Sequence, residues 1–169
     1  MILALTGFMG SGKTAAGRLL ADRLGRPFAD LDSEIEKAAG KTVAKIFEDE
    51  GEPGFRLRET ETLRQLLAAA PGDLVLALGG GTLLAEENLR LVKQHCRCIW
   101  LKASAETLAA RIAGQAATRP LLAGQDLQTK VATLLASRDA AYREAADVVV
   151  CTDGISLEET VNRLLKTKE

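Results

Sequence analysis

Charge of one sign is what this sequence lacks first. Its 22 Lys plus Arg stand against 23 Asp plus Glu, leaving a net charge of −1 at pH 7 over 169 residues. Without a basic excess little is available to neutralise a nucleic-acid backbone, so no nucleic-acid partner is expected. Long apolar runs are also missing: none approaches the ~20 residues that span a bilayer, and no membrane partner is expected. Met1 leads straight into strand-like Ile2-Leu3-Ala4-Leu5 with no basic stretch, which disfavours a secretory signal. Cysteine is scarce. Cys96, Cys98 and Cys151 are an odd number, which speaks against a disulfide framework and for a cytoplasmic location. His95-Cys96-Arg97-Cys98 is followed by no second ligand pair at zinc spacing, so the cysteines are read as buried core residues. Internal repeats, low-complexity tracts and interdomain linkers are absent as well.

What is present is an alternation. The length suits a single domain, 1–169, since compact domains of roughly 100–200 residues bury a core without staples. Short β-rich runs occur at 2–6, 27–30, 74–78, 97–101 and 147–151. Helical periodicity fills 13–24, 33–39, 43–50, 54–69, 85–94, 104–113, 128–145 and 157–167. Strands separated by helices predict parallel pairing through right-handed crossovers, hence an α/β sheet covered on both faces. Gly25 and Gly51 sit where helices should stop, Pro53 suits a first turn, and Ser156-x-x-Glu159 reads as a capping box. The stretch 114–127 mixes Gly, Gln, Thr and Pro without periodicity and reads as a functional lid or a disordered segment.

The strongest motif is Gly7-Phe8-Met9-Gly10-Ser11-Gly12-Lys13-Thr14, which satisfies G-x-x-x-x-G-K-[ST], the Walker A phosphate-binding loop (P-loop). It follows the first strand and opens the first helix. Glycines let successive N–H groups converge on phosphate oxygens, and the helix N-terminus adds partial positive charge. Lys13 bridges the outer phosphates in such a loop, and the Thr14 hydroxyl holds Mg²⁺. The motif predicts a nucleoside triphosphate ligand.

A P-loop does not name the reaction. A GTPase switch needs a guanine-reading element such as N-K-x-D, which the chain lacks. Asp22-Arg23-Leu24-Gly25 matches D-x-x-G only by letter, at a helix end. Phosphoryl transfer to a small acceptor needs a carboxylate, an acceptor grip and a lid that excludes water. Asp30-Leu31-Asp32 follows the second strand, at the sheet edge where ligands bind. One Asp can orient hydrated Mg²⁺ and the other can accept from an attacking hydroxyl; Asp32 could instead merely cap the helix beginning near Ser33. Leu74–Leu78 runs into Gly79-Gly80-Gly81, and glycine costs roughly 0.5–1 kcal/mol relative to Ala in a regular element, so three in a row suit backbone contact with a ligand. Arg56, with Glu59 one turn on to hold it, Arg119 before Pro120, and Arg138 could grip a carboxylate if they converge.

Taken together, these motifs resemble the shikimate kinases, members of the nucleoside-monophosphate-kinase-like P-loop enzymes. The resemblance covers nearly the full length: residues 7–14, Asp30-x-Asp32 with Glu34-Ile35-Glu36, Gly51-Glu52-x-x-Phe55-Arg56, Gly79–Gly81 and Arg119-Pro120-Leu121-Leu122, in family order. It implies a three-layer fold with a five-stranded parallel sheet in order 2-3-1-4-5. It also implies a shikimate-binding subdomain near 31–60 and a mobile lid near 112–125. The implied activity is ATP-dependent phosphorylation of the 3-hydroxyl of shikimate, on the route to chorismate and the aromatic amino acids, by a cytoplasmic monomer using Mg²⁺. By resemblance, Lys13, Asp32 and Arg119 are catalytic, and Thr14 and Asp30 place the metal. Gly10, Ser11, Gly12, Lys13, Thr14, Ala15, Arg111 and Arg119 bind ATP, with Arg111 beside the adenine. Asp32, Arg56, Gly79, Gly80, Gly81 and Arg138 bind shikimate. Thr14 stands where the family commonly has Ser, with its hydroxyl retained. Thr152-Asp153-Gly154 fits the adenine loop only loosely and is assigned no contact, and Arg58 is read as surface. A kinase for another hydroxy acid such as gluconate, or a nucleotide-binding switch, remains as the alternative.

Overall fold

A computed structural model of the chain describes residues 1–70, 72–113 and 126–167. Five strands, β1 (Ile2–Thr6), β2 (Phe28–Asp30), β3 (Leu74–Ala77), β4 (Cys96–Lys102) and β5 (Val148–Cys151), form one sheet in the order β2-β3-β1-β4-β5. Every pairing is parallel, with Leu3 opposite Val75 on one side and Arg97 on the other. The seven helices are α1 (Lys13–Leu24), α2 (Leu31–Ala39), α3 (Val43–Ala69), α4 (Glu86–His95), α5 (Ala105–Ile112), α6 (Leu127–Ala145) and α7 (Leu157–Lys166), among the described residues. None of these is long and apolar enough to cross a membrane.

Two cores lie on opposite faces of the sheet, as alternation along a strand requires. Ile2 and Ala4 of the central strand join Leu76, Trp100, Tyr142 and Leu63 on one side. Leu3 and Leu5 join Leu20, Ile99, Val161 and Leu164 on the other, under α1 and α7. Strand β1 is therefore buried along its whole length, and a continuous apolar run is what a central parallel strand needs. Parallel strands also bring all their carboxyl ends to one edge, where the loops after β1, β2 and β3 meet.

Element boundaries show where local chemistry decides. Helix α1 stops at Gly25, whose backbone is left-handed (φ 63°), and Ser156 caps α7 by accepting from Glu159 N–H at 3.1 Å. Helix α2 begins at Leu31 rather than Ser33, because Asp30, not Asp32, is its N-cap: Asp30 Oδ1 accepts from Ser33 N–H at 3.2 Å. That frees Asp32 from the capping role the sequence left open to it. Helix α3 carries the expected break. Gly51 takes φ 70° and ψ −179°, which separates 43–50 from the turn that Pro53 opens. Arg58 is a surface residue, as read, and its Nε and Nη2 both donate to the Glu50 carboxylate at 2.8 Å, spanning that break. Arg58 first, then Lys41, pushes the Glu50 carboxyl down to about 2. A 3₁₀ turn over Thr82–Leu84 was not expected.

The cysteines divide. Cys98 is buried in β4, Cys96 is half-buried and Cys151 is exposed, because β5 is the edge strand and its alternate residues face outward. The reading of all three as core is corrected accordingly. Burial pushes the Cys96 and Cys98 thiols up to about 12, so neither offers a thiolate near neutral pH.

Candidate active site

The phosphate cradle is built from backbone. After β1 the chain turns through Gly10 (φ 80°) and Gly12 (φ 89°), left-handed conformations that side chains rarely adopt. Ser11 is buried between them and its N–H bonds back to the Phe8 carbonyl at 3.1 Å. Lys13 opens α1 and donates Nζ to the Gly7 and Phe8 carbonyls at 2.8 and 2.9 Å, so the ammonium lies across the mouth of its own loop. Thr14 Oγ1 donates to Asp30 Oδ2 at 2.5 Å, joining the start of α1 to the end of β2. Lys13, Thr14, Ala15, Asp30, Asp32, Gly79 and Gly80 line one cavity of 390 Å³, together with Gly10, Gly12 and Arg111.

Arg111, in the last turn of α5, spreads its guanidinium over the next loop. Nη1 donates to Thr152 Oγ1 at 3.1 Å and Nη2 to the Thr152 carbonyl at 2.8 Å. A second, smaller cavity of 250 Å³ runs from Ser11 and Ala15 past Arg111 to Thr152 and Ile155. The loop after β5 is itself fastened: Thr107 and Ser104 on the Asp153 carboxylate push its carboxyl down to about 2. Thr152 and Asp153 lie in the segment that fits the adenine loop only loosely and to which no contact was assigned. Their partners lie some forty residues away in the chain, and no local motif points to them.

The three glycines after β3 draw in polar groups from distant segments, and Arg56 and Arg138 both reach this turn. A methyl group on Gly79 would lie 3.1 Å from Asp32 Oδ1 and 3.0 Å from Glu59 Oε2. One on Gly80 would lie 3.1 Å from Arg138 Nη1 and 3.3 Å from the Met9 nitrogen. One on Gly81 would lie 2.5 Å from Arg56 Nη2. Each glycine therefore makes room for a different polar group from a distant segment, which is why one would not suffice. Gly81 borders the Arg56 guanidinium and does not line the main cavity, where Gly79 and Gly80 do.

Arg138 is 2% exposed, its guanidinium over the Phe8 ring, and its Nε and Nη1 have no hydrogen-bond partner among the described residues. A buried cation with unmatched donors is costly unless an anion completes it. Arg56 Nη1 donates to Glu59 Oε1 at 2.8 Å, as the spacing predicts. Glu59 is itself buried and takes a further hydrogen bond from Thr82 Oγ1 at 2.8 Å, a brace invisible in the sequence. Arg119 and most of the lid near 112–125 lie outside the described residues.

A strand–glycine loop–helix cradle, with carboxylates at the end of β2 and the start of α2 and a cationic pocket beside it, defines a P-loop nucleotide-binding enzyme of the small-molecule kinase class. The shikimate kinase family model matches residues 9–169, and the chain belongs to that family. Shikimate kinase of Symbiobacterium thermophilum is 48% identical over 167 residues, covering 98% of this chain and 95% of that protein. Shikimate kinase of Neisseria gonorrhoeae is 44% identical over 164 residues, covering 97% and 94%. Among solved structures, shikimate kinase from Acinetobacter baumannii in complex with shikimate superposes with a TM-score of 0.93 at 38% identity, covering 98% of this chain and 91% of that one.

Proposed function

We propose that the chain transfers the γ-phosphoryl group of ATP to the 3-hydroxyl of shikimate, giving shikimate 3-phosphate and ADP, a step toward chorismate and the aromatic amino acids. The observation that carries this reading is the approach of Asp32, Arg56 and Arg138 to one glycine turn beside Lys13. Shikimate is an anionic polyol. Arg138 and Arg56 supply donors for its carboxylate, and Asp32 an acceptor for its hydroxyls.

Phosphoryl transfer leaves little covalent work to the protein, so positioning and charge dominate. Gly10, Ser11, Gly12 and Ala15 present backbone to the phosphates, Lys13 bridges the outer ones, and Arg111 flanks the adenine. Asp32 orients the attacking oxygen and takes its proton as the bond to phosphorus forms. Arg119, outside the described residues, keeps the role the family resemblance gives it, countering charge on the transferred group. Thr14 and Asp30 fit Mg²⁺: both are hard oxygen donors, and with its proton on Asp30 the Thr14 oxygen keeps lone pairs for a metal. When bound, Mg²⁺ neutralises charge on the β- and γ-phosphate oxygens.

We read the chain as one kinase domain, 1–169, with an acceptor-binding subdomain near 31–60. It acts as a cytoplasmic monomer without nucleic-acid or membrane partners. The test is ADP release with ATP·Mg²⁺ and shikimate, gluconate or no acceptor. Release with shikimate alone is the expected outcome. Release with gluconate points to another hydroxy-acid kinase, and nucleotide binding without acceptor-dependent release points to a switch.

A further inference from the structure

The reaction as drawn leaves one polar side chain beside the acceptor pocket unused. Tyr142 of α6 is 1% exposed, packed on Trp100 of β4 at 5.6 Å between ring centroids, and its hydroxyl donates to the Gly80 carbonyl. It sits one helical turn after Arg138, so the two side chains share a face of α6. We propose that Tyr142 is a positioning residue for acceptor binding: its hydroxyl on the Gly80 carbonyl fixes the glycine turn against Arg138 and so sets the shape of the shikimate pocket. This rests on the function proposed above and extends it to a residue that need not touch the substrate.

Three features support it. The turn of three glycines has no side chains of its own, and while the Gly79 and Gly81 carbonyls accept from Thr82 and Leu84 N–H at 3.2 Å, the Gly80 carbonyl is held by Tyr142 from outside the turn. Because the C=O and N–H of a peptide point in opposite directions, anchoring the Gly80 carbonyl also fixes the direction of the Gly81 N–H. Second, the spacing is tight: Arg138 Nη1 would lie only 3.1 Å from a methyl on Gly80, so a small rotation of the turn changes the room left for the guanidinium. Third, burial pushes the phenol up to about 12 against the opposing pull of Arg138, so the hydroxyl keeps its proton and remains a donor at working pH. Core packing alone would be served as well by Phe, and would leave the Gly80 carbonyl unmatched.

The decisive variant is Tyr142→Phe, which removes one oxygen and keeps the ring on Trp100. Wild type and variant are compared for shikimate KM, ATP KM, kcat and Tm in one ADP-release assay. The expected result is a shikimate KM raised about tenfold, equivalent to about 1.4 kcal/mol, with ATP KM unchanged and kcat within about threefold. A variant with a lower Tm but an unaltered shikimate KM has lost only packing, and overturns the proposal. A wild type that releases no ADP with shikimate overturns the function first, and this inference with it. Should the variant fail to fold, the chain offers a second route, because Tyr142 is its single tyrosine. Enzyme grown with 3-fluorotyrosine then carries one ¹⁹F reporter. Its resonance is expected to move on titration with shikimate, and a resonance that stays put at saturation overturns the proposal.

Discussion

The two halves of the active site are built by opposite strategies. The phosphate cradle is one uninterrupted stretch, Gly7 to Thr14, whose ligands are mainly backbone groups and whose shape follows from glycine geometry and a helix start. The proposed acceptor pocket draws Asp32 from α2, Arg56 from α3, the glycines from the loop after β3 and Arg138 from α6. Hydrogen bonds from distant segments brace it, Thr82 to the Glu59 carboxylate and Tyr142 to the Gly80 carbonyl. A contiguous loop tolerates change elsewhere in the fold, whereas a pocket made of distant parts depends on braces that never meet the ligand.

Substitutions can separate the two. Lys13→Ala strikes the cradle and should have the largest effect, a fall in kcat of about 10³-fold or more, because the charge it places on the phosphates acts in the transition state. Arg138→Ala strikes the pocket. Shikimate affinity should fall about 10²-fold, as expected for a charge-assisted fork, while ATP affinity, titrated separately, holds. Equal losses for both ligands would erase the distinction between the halves. Gly81→Ala is subtler: its methyl must displace the flexible Arg56 guanidinium, so shikimate KM should rise about tenfold with Tm nearly unchanged.

The smallest effects concern the braces. Glu50 and Asp153 both have carboxyls held at about 2, below ordinary values of 4.5 and 3.8. A depressed folded value means the stabilisation is complete above those ordinary values and is lost as pH falls toward 2. Tm should therefore drop through that window, and Glu50→Gln or Asp153→Asn should each flatten part of the drop while lowering Tm at pH 7 by about a degree or two. Because Glu50 secures the break before Arg56 and Asp153 secures the loop bearing Thr152, the first should nudge shikimate KM and the second ATP KM.

The same contrast explains what could be read in advance. The cradle was legible because its residues are neighbours and its flanking strand and helix are marked by pattern. Five parallel strands followed from alternation, but their order came only through family resemblance, since crossovers leave no mark in a single sequence. Asp30 and Asp32 could not be told apart by letter. Only the fold shows that Asp30 both caps α2 and meets Thr14. Tyr142 and Thr82 went unnoticed because their partners lie 62 and 23 residues away and nothing in their own surroundings distinguishes them from ordinary core residues, and Thr152 was given no contact because Arg111 lies 41 residues away. Cys151 misled for a related reason: an apolar run reads as interior until one knows that its strand is at the rim.

All the strands point the same way, and the residues proposed to act on the substrates gather at one end of them. Among the described residues, the other end is tied by contacts such as the Met1 ammonium on Asp73 and the Asp147 carboxylate on the Cys98 amide. A surface linkage placed beside Asp73 would thus leave both substrates an unobstructed approach, so the molecule can be fastened by its back while it works at its face.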